Sequence, residues 1–430
     1  MMGKKNFFYA FYGIMLVGLF FWFGSIYYEI SIFNFSKKFF RVVSMPILTV
    51  YHGGDVRFIS AEVASYYRGP NVSSFDSPQK SWDTFSEING DFEIIGRESN
   101  QHPEDIPFVY QPGNAVHLVE LREQCRLDEI VGDGTEYQKM LRLFHWAGTR
   151  FDHGVDAVPG GAQNFQPLQV VTAGENGRRF WCEIAARLTV QAASAMGWPA
   201  RLMTASKDGY NWDHALAEVW SNQFNKWILV DTDYNVLYES NGIPLSGFEL
   251  CHKGPELKGR GLLEVRRIAP LKSSLSDVDL LPFYRYVHID LRNDWLRRHL
   301  LPGSPAGGDL ATWWTARKDL GPILTARIRV DDQSQFDWPV NWVEFYLFEK
   351  QVLSGEPAEI KLGLRGYSPY FKNFALRLDN GEWVFNEDGL FQIPIFPGEH
   401  KIEAKIITDN ESEGPVSTIK ICLQRKFSKI

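Results

Sequence analysis

The chain has 430 residues, a length that favours two or three domains and supplies enough apolar residues for more than one core. Its net charge of −7 at pH 7 removes the general electrostatic basis for binding nucleic acid, and we predict no nucleic-acid partner. Four cysteines are too few for a disulfide scaffold, and the sequence leaves their pairing open.

The N-terminal segment has the composition of a membrane anchor. Residues 7–28 read FFYAFYGIMLVGLFFWFGSIYY and carry no charge. As a helix they would be about 33 Å long, enough to cross a bilayer. Aromatic residues crowd both ends, and the following Glu-Ile-Ser offers no cleavage site. We therefore expect an uncleaved transmembrane anchor at residues 1–30, with a buried core helix as the alternative.

The charges that flank this segment give its orientation less clearly. Lys4 and Lys5 favour a cytoplasmic N-terminus, whereas Lys37, Lys38 and Arg41 on the other side oppose it. We expect a single-pass membrane protein with its soluble part outside the cytoplasm.

Residues 31–125 predict a juxtamembrane stalk, up to about residue 50, and a mixed α/β lead-in. Within the lead-in, DFEIIGRESN (91–100) and NAVHLVEL (114–121) indicate short strands, because prolines and a glycine mark loops between them.

Residues 126–252 alternate between helical and strand patterns. TEYQKMLRLFHWAGTRF, from Thr135, has its apolar residues on one helix face, and Thr135 is a suitable N-cap. A long helix, CEIAARLTVQAASAMG, ends at Gly197. PARLMTAS and HALAEVW follow as strands, and KWILVDTDYNVLY as a strand that runs into a loop, so the predicted order is helix, strand, strand, strand.

The C-terminal part is expected to be all-β. Residues 253–320 are basic and irregular, and we interpret them as a connector. From residue 321 to 430, seven short alternating segments are separated by turns such as DNG, EDG and PGEH. This spacing predicts an immunoglobulin-like β-sandwich, although the Cys…Trp…Cys pattern of antibody-type domains is missing.

The chemistry-bearing residues of the central segment are Cys182, His214 and Asp231. Cys182 stands at a predicted helix start, where free N–H groups and the helix dipole stabilise a thiolate. His214 begins a strand and Asp231 ends the next, so adjacent antiparallel strands would bring them side by side. The two could then serve as base and orienting acid for the thiol. The alternative for Cys182 is a packed structural thiol.

The same residues carry a family resemblance. GRRFWCEIAARLTVQAASAMGWPARLM (177–203) followed by WDHALAEVWSNQFNKWILVDTDYN (212–235) resembles the core of the transglutaminase-like superfamily. That family has a Cys at a helix start, a His in HA-x-x-EV-[WY] and an Asp after W-x-x-x-D. Cys182, His214 and Asp231 fall on these positions, with Trp227 four residues before the Asp. The resemblance covers roughly residues 135–240 and is to bacterial-type members with an N-terminal anchor.

The resemblance implies a papain-like α+β fold and thiolate attack on a carboxamide or peptide carbonyl. A thioester results, which water or an amine resolves. Family members include crosslinking enzymes, proteases, peptide N-glycanases and inactive scaffolds. Calcium loops like those of animal transglutaminases are missing from the sequence, so neither a metal nor a cofactor is implied.

The sequence departs from the family pattern at two points. The usual D-P-T reads Asp231-Thr232-Asp233, so Asp233 is an alternative to Asp231 for orienting the histidine. The family often uses a side chain upstream of the Cys as an oxyanion donor. The sequence offers four such side chains without selecting one: Gln163, Asn164, Gln166 and Gln169.

Together these observations predict an α+β protein with a transmembrane helix, a papain/transglutaminase-like core and a C-terminal immunoglobulin-like sandwich. The predicted function is a membrane-anchored cysteine enzyme that acts on amide or peptide bonds of a cell-envelope peptide or protein. The alternatives are an idle scaffold that binds an envelope polymer or assembly partner, and an enzyme that cleaves glycan–asparagine amides. The substrate-binding residues and the oligomeric state stay open.

Overall fold

The computed structural model describes residues 92–98, 108–157, 161–209, 211–296, 312–317, 319–320, 328–347 and 358–423. All of these lie within one compact unit. The predicted anchor at 7–28 and the stalk at 31–50 lie outside the described residues. Within the described ranges, no helix combines the length and the apolar character that crossing a bilayer requires.

The helices gather around one central helix. The described ranges contain α1 (Val116–Gln124), α2 (Leu127–Val131), α3 (Glu136–Gly148), α4 (Pro167–Glu175), α5 (Cys182–Ala195), α6 (Gly247–Gly259) and α7 (Gln333–Phe336), with 3-10 turns at Ala162–Asn164 and Leu281–Arg285. Helices α1, α3 and α4 pack on α5, which also lies on the central sheet. Because α5 is enclosed from several sides, its residues from Ile184 onward are almost all buried, and its many alanines permit this close approach.

The local signals for α3 and α5 act as predicted. The Thr135 side chain accepts a hydrogen bond from the Gln138 backbone N–H, and the Gln138 side chain accepts from the Thr135 N–H in return. Helix α5 ends before Gly197, which adopts φ +73°, a left-handed conformation that glycine tolerates without steric cost.

The central sheet positions the candidate site. Its strands are β2 (Ala200–Ser206), β3 (His214–Ser221), β4 (Lys226–Asp231), β5 (Val236–Ser240), β6 (Ile243–Pro244), β7 (Glu264–Arg267), β8 (Tyr286–Asp290), β9 (Thr312–Ala316) and β10 (Ile328–Arg329). Their order is β10-β9-β8-β2-β3-β4-β5-β6, and β7 pairs with β5. Strands β2 and β3 are buried along their whole lengths, because two apolar clusters cover the two faces of the sheet.

The interpretation of residues 253–320 as an irregular connector is wrong. Helix α6 continues to Gly259, and β8 pairs directly with β2 inside the central sheet. Residues 328–330, which we predicted to lie in the sandwich, also belong here, because β10 pairs with β9. The core therefore extends well beyond residue 252; its later strands lack a clear sequence signal because they are short and separated by long loops.

The C-terminal strands form two antiparallel sheets. They are β11 (Trp342–Leu347), β12 (Ala358–Tyr367), β13 (Phe371–Leu378), β14 (Val384–Asn386), β15 (Leu390–Ile395), β16 (Gly398–Thr408) and β17 (Ser417–Leu423). Strands β11, β12 and β15 make one sheet, while β14, β13, β16 and β17 lie in the other. One apolar cluster receives side chains from both sheets. Two sheets on a shared core are thus present, and the immunoglobulin-like assignment stays a prediction.

A strand from the lead-in completes the larger of these two sheets. Strand β1 (Phe92–Glu98), predicted from DFEIIGRESN, pairs antiparallel with β17 across more than 300 residues of sequence. A local sequence pattern does not indicate which distant strand will be the partner. Residues 31–125 were therefore predicted as a separate lead-in.

The second lead-in prediction was wrong, because NAVHLVEL belongs to helix α1 from Val116 onward. Leu118 and Leu121, three residues apart, are fully buried against α5, whereas Val116 and Val119 are exposed. This is the spacing of a helix face and not the alternation of a strand. The apolar valines on the outer face obscured that period.

A buried arginine ties the central sheet to residues 336–338. The Arg201 guanidinium is fully buried, pairs with Glu218 at 2.6 Å and Asp337 at 3.1 Å, and donates to the Phe336 carbonyl. It stacks between the rings of Trp227 and Trp338, at 4.1 and 4.4 Å from their centroids. Trp227 and the Glu of the HA-x-x-EV motif therefore belong to the structural core.

Candidate active site

The candidate nucleophile stands at the first residue of α5. Trp181 is the N-cap and carries no side-chain capping hydrogen bond, and Cys182 follows it, half-buried. The first N–H groups of a helix lack partners within that helix, and the helix dipole is positive at this end. The backbone at Cys182 is therefore suited to negative charge on sulfur or on an adjacent oxygen. All four cysteines lie in the described ranges and are free thiols.

The structure brings His214 and Asp231 together as the strand pairing predicted. His214 begins β3, Asp231 ends β4, and the two strands are antiparallel neighbours. The imidazole Nε2 lies 2.7 Å from Asp231 Oδ2, with both side chains buried. Because a carboxylate only accepts, Nε2 carries the proton in this hydrogen bond. The other ring nitrogen, Nδ1, is then the one available to Cys182, whose sulfur lies within 4.8 Å of a ring nitrogen of His214.

The turn after β4 holds the Asp231 carboxylate in place. Its Oδ1 accepts hydrogen bonds from the backbone N–H groups of Asp233, at 3.0 Å, and Tyr234, at 2.9 Å. The intervening Thr232 hydroxyl is 2.7 Å from the Thr189 hydroxyl and donates to the Ala185 carbonyl of α5. Helix and turn are therefore fixed to each other, and the carboxylate has little freedom to leave the imidazole.

Aromatic rings enclose the imidazole. Tyr234 and Phe283 approach His214 edge-on, with ring centroids 5.4 and 5.9 Å away. The two rings form a wall beside the imidazole. The Lys207 ammonium lies over the Phe283 ring, 3.8 Å from its centroid. These contacts reduce water access to the histidine and strengthen its electrostatic interactions.

The balance of forces on His214 favours its protonated form. Burial by itself would lower its pKa, but the negative charge and hydrogen bond of Asp231, together with the Cys182 contact, raise the pKa well above the usual value. A histidine that keeps its proton beside a cysteine is the condition for a thiolate–imidazolium pair.

Asp233, the alternative orienting acid, has partners of its own. Its carboxylate accepts from His153 Nδ1, at 2.8 and 3.1 Å to the two oxygens, and lies 3.4 Å from Lys272 Nζ. Burial lowers the pKa of Lys272, and the Asp233 charge offsets part of that effect. The structure therefore gives Asp231 the hydrogen bond to His214 and places Asp233 in a neighbouring His–Asp–Lys group.

This second group is adjacent to the first. A carboxylate oxygen of Asp233 lies within 4.8 Å of both the Cys182 sulfur and a His214 ring nitrogen. The His153 backbone forms a bridge with Phe180, two residues before Cys182. Sequence reasoning missed His153 and Lys272, which are 80 and 39 residues from Asp233, and no local pattern marks either of them.

Two loops are joined beside the site. Asp152 accepts hydrogen bonds from the hydroxyls of Ser273 and Ser274, the latter at 3.0 Å. Ser274 also donates to the His153 carbonyl at 2.7 Å. These contacts connect the segment that carries His153 with the segment that carries Lys272, so the second group is held from both sides.

The predicted oxyanion side chains lie at the start of α4 and just before it. Gln166 and Gln169 are exposed and form a capping box, in which Gln169 Oε1 accepts from the Gln166 N–H at 2.8 Å. Asn164 is exposed in the preceding 3-10 turn, and the Gln163 side chain lies outside the described part of the structure. The choice among the four stays open.

A cleft opens next to the imidazole wall. It has a volume of about 370 Å³, and Tyr234, Tyr238 and Leu263 contribute to its lining. Two ion pairs, Lys258–Asp279 and Arg267–Asp277, stand at its edge. Tyr234 belongs both to this cleft and to the wall around His214, so its ring connects the two.

Comparison with known proteins identifies the central segment. Residues 126–232 match the family model described as the transglutaminase-like superfamily. The crystal structure of red sea bream transglutaminase aligns over 81% of this chain and 79% of its own, with 8% sequence identity and a TM-score of 0.23, a likeness too low to carry an argument. No curated protein matches the chain.

Proposed function

Because residues 126–232 are a transglutaminase-like domain with an α+β core, we propose that the chain is a cysteine enzyme acting on an amide or peptide bond. The observation that carries the proposal is the proximity, within 4.8 Å, of a half-buried thiol at a helix start to a histidine that hydrogen-bonds a buried carboxylate. A packed structural cysteine does not require this arrangement.

The first half of the reaction forms a thioester. His214 takes the thiol proton of Cys182, and Asp231 stabilises the resulting imidazolium. The thiolate attacks the carbonyl carbon of the substrate, and the carbonyl oxygen becomes an oxyanion near the helix start, where backbone N–H groups are available. The C–N bond then breaks, the departing nitrogen receives the proton from His214, and the acyl group stays on sulfur.

The second half releases the acyl group. A water molecule or an amine attacks the thioester carbonyl while His214 takes its proton, and the C–S bond breaks to restore the Cys182 sulfur. We propose hydrolysis over crosslinking, because water is always available and the sequence shows no pocket for an amine. We propose the cleft beside Tyr234 as the place where a side chain of the substrate binds.

The cellular setting of this activity is also a proposal. Residues 7–28 have the length and composition of an anchor, and such an anchor would confine the enzyme to a membrane surface. A peptide or protein of the cell envelope is then the expected substrate. The C-terminal sheets would position that substrate or a partner, which rests on analogy with other two-sheet domains alone.

The test is the pH dependence of Cys182 alkylation in the full chain, compared between the wild type and His214→Ala. A free thiol titrates near about pH 8.5, whereas a histidine-paired thiolate reacts well below that pH. Mass spectrometry of each cysteine provides an internal control, since burial raises the pKa of the Cys125 thiol. Fast reaction of Cys182 at acid pH that His214→Ala abolishes supports the enzyme. Ordinary titration in both proteins refutes it and favours the idle scaffold.

A further inference from the structure

Three potential metal ligands converge at the candidate site. One ligand atom from each of Cys182, His214 and Asp233 lies within 4.8 Å of the other two. Tetrahedral zinc, with bonds of about 2.0–2.3 Å, holds its ligand atoms about 3.3–3.8 Å apart. The three side chains therefore need to move by about an ångström or less to share one ion.

The surroundings of these ligands match those of metal sites. A metal-bound histidine usually donates its other ring N–H to a carboxylate, and His214 donates Nε2–H to Asp231 at 2.7 Å. Ligand carboxylates are likewise hydrogen-bonded, and Asp233 accepts from His153 at 2.8 Å. Both outer contacts are already formed, so only the ligand side chains have to adjust when an ion binds.

The donor types select among cations. One thiolate, one imidazole and one carboxylate form a set that suits zinc, whereas magnesium and calcium require oxygen ligands. Cys182 and Asp233 as anions balance the two charges of the ion. Lys272 faces Asp233 and opposes a cation, but the second carboxylate, Asp231, offsets its charge.

We propose that Cys182, His214 and Asp233 form a zinc site that reversibly blocks the nucleophile. The ion displaces to solvent the proton that Cys182 and His214 share, and it binds the Cys182 sulfur and the His214 nitrogen that faces it. While it is bound, the sulfur is unavailable to a carbonyl and the histidine accepts no proton. The metal site depends only on these three side chains, and its role as an inhibitory device rests on the proposed enzymatic function.

The test is zinc titration of the full chain against a fluorescent zinc chelator, for the wild type, Cys182→Ala and Asp233→Asn. Cys125→Ala, which removes a half-buried thiol outside the site, is the matched control. Removing a ligand should weaken zinc binding by at least the factor of about 10–100 known for outer-shell partners, and Cys125→Ala should leave it unchanged. Excess magnesium or calcium should not displace the ion.

A second readout follows the thiol itself. Zinc should protect Cys182 from alkylation in the wild type, and a chelator should restore the reaction, with no such protection at Cys125. Equal zinc affinity in the wild type and Cys182→Ala overturns the proposal. Unchanged zinc binding in Asp233→Asn also overturns the proposal, because it would show that Asp233 is not a ligand.

The outcomes separate the two proposals. If Cys182 alkylates like a free thiol but zinc still binds and Cys182→Ala abolishes binding, the enzymatic proposal fails and the metal site stands. If Cys182 reacts at acid pH but zinc neither binds nor protects it, the metal site fails and the enzymatic proposal stands.

Discussion

Asp231→Asn tests how much the carboxylate contributes to stabilising the reactive thiolate form of Cys182. The substitution keeps the size of the side chain and leaves its Oδ1 able to accept from the backbone N–H groups of residues 233 and 234. The lost contact is the charge-assisted hydrogen bond to His214 Nε2, 2.7 Å long and buried on both sides.

The magnitude follows from the type of bond that is lost. A hydrogen bond to a charged group contributes about 1.5–3 kcal/mol. The same free energy stabilises the imidazolium, and with it the thiolate, by a factor of about 10–150. Because His214 has its pKa raised well above the usual value mainly through Asp231, this stabilisation is largest at acid pH and declines as the pH rises through that pKa.

The assay is the second-order rate of Cys182 alkylation between pH 5 and pH 9. We expect Asp231→Asn to slow the reaction at pH 5.5 by about 10–150-fold and to approach the wild-type rate at pH 9. Asp128→Asn is the matched control, because it makes the same chemical change in an exposed ion pair with Arg122. Equal rates for Asp231→Asn and the wild type at pH 5.5 would refute the assigned role of the carboxylate.

Two further predictions concern the buried ion group of Arg201, Glu218 and Asp337. Arg201→Met should destabilise the fold by about 3–5 kcal/mol in urea unfolding, because Glu218 and Asp337 would remain buried without their partner; a loss below about 1 kcal/mol would contradict this. Burial and the Glu218 charge raise the pKa of Asp337 to about 7 despite Arg201. Since the folded pKa exceeds the unfolded one, Asp337 makes the wild type more stable as the pH falls from about 7 towards 4. Asp337→Asn should remove this part of the pH dependence, and an unchanged slope between pH 5 and pH 7.5 would show that Asp337 does not titrate there.

Local signals predicted the elements that frame the site. Thr135 marked the start of α3, Gly197 marked the end of α5, and three strand-like segments marked β2 to β4. These signals act within a few residues, so one sequence is enough to read them. The proximity of His214 and Asp231 could also be predicted, because the two residues lie on consecutive strands joined by a short turn.

Elements with weak or distant signals were misassigned. The outward-facing Val116 and Val119 concealed the helical period of α1. Strands β8 and β9 were assigned to a connector, although they extend the central sheet. Strand β1 was recognised as a strand, but its partner β17 lies at the other end of the chain. Long-range pairing is decided by which apolar faces and strand edges remain uncovered, which a local pattern does not contain.

The sequence by itself determined the family of the central segment and the residue types available for chemistry. Only the tertiary structure separated the roles of the two neighbouring aspartates, because the turn after β4 directs Asp231 to His214 and Asp233 to His153 and Lys272. Carboxylates two residues apart have the same local chemistry. Their surroundings come from α5 and from loops more than 35 residues away, and these became fixed only when the chain packed.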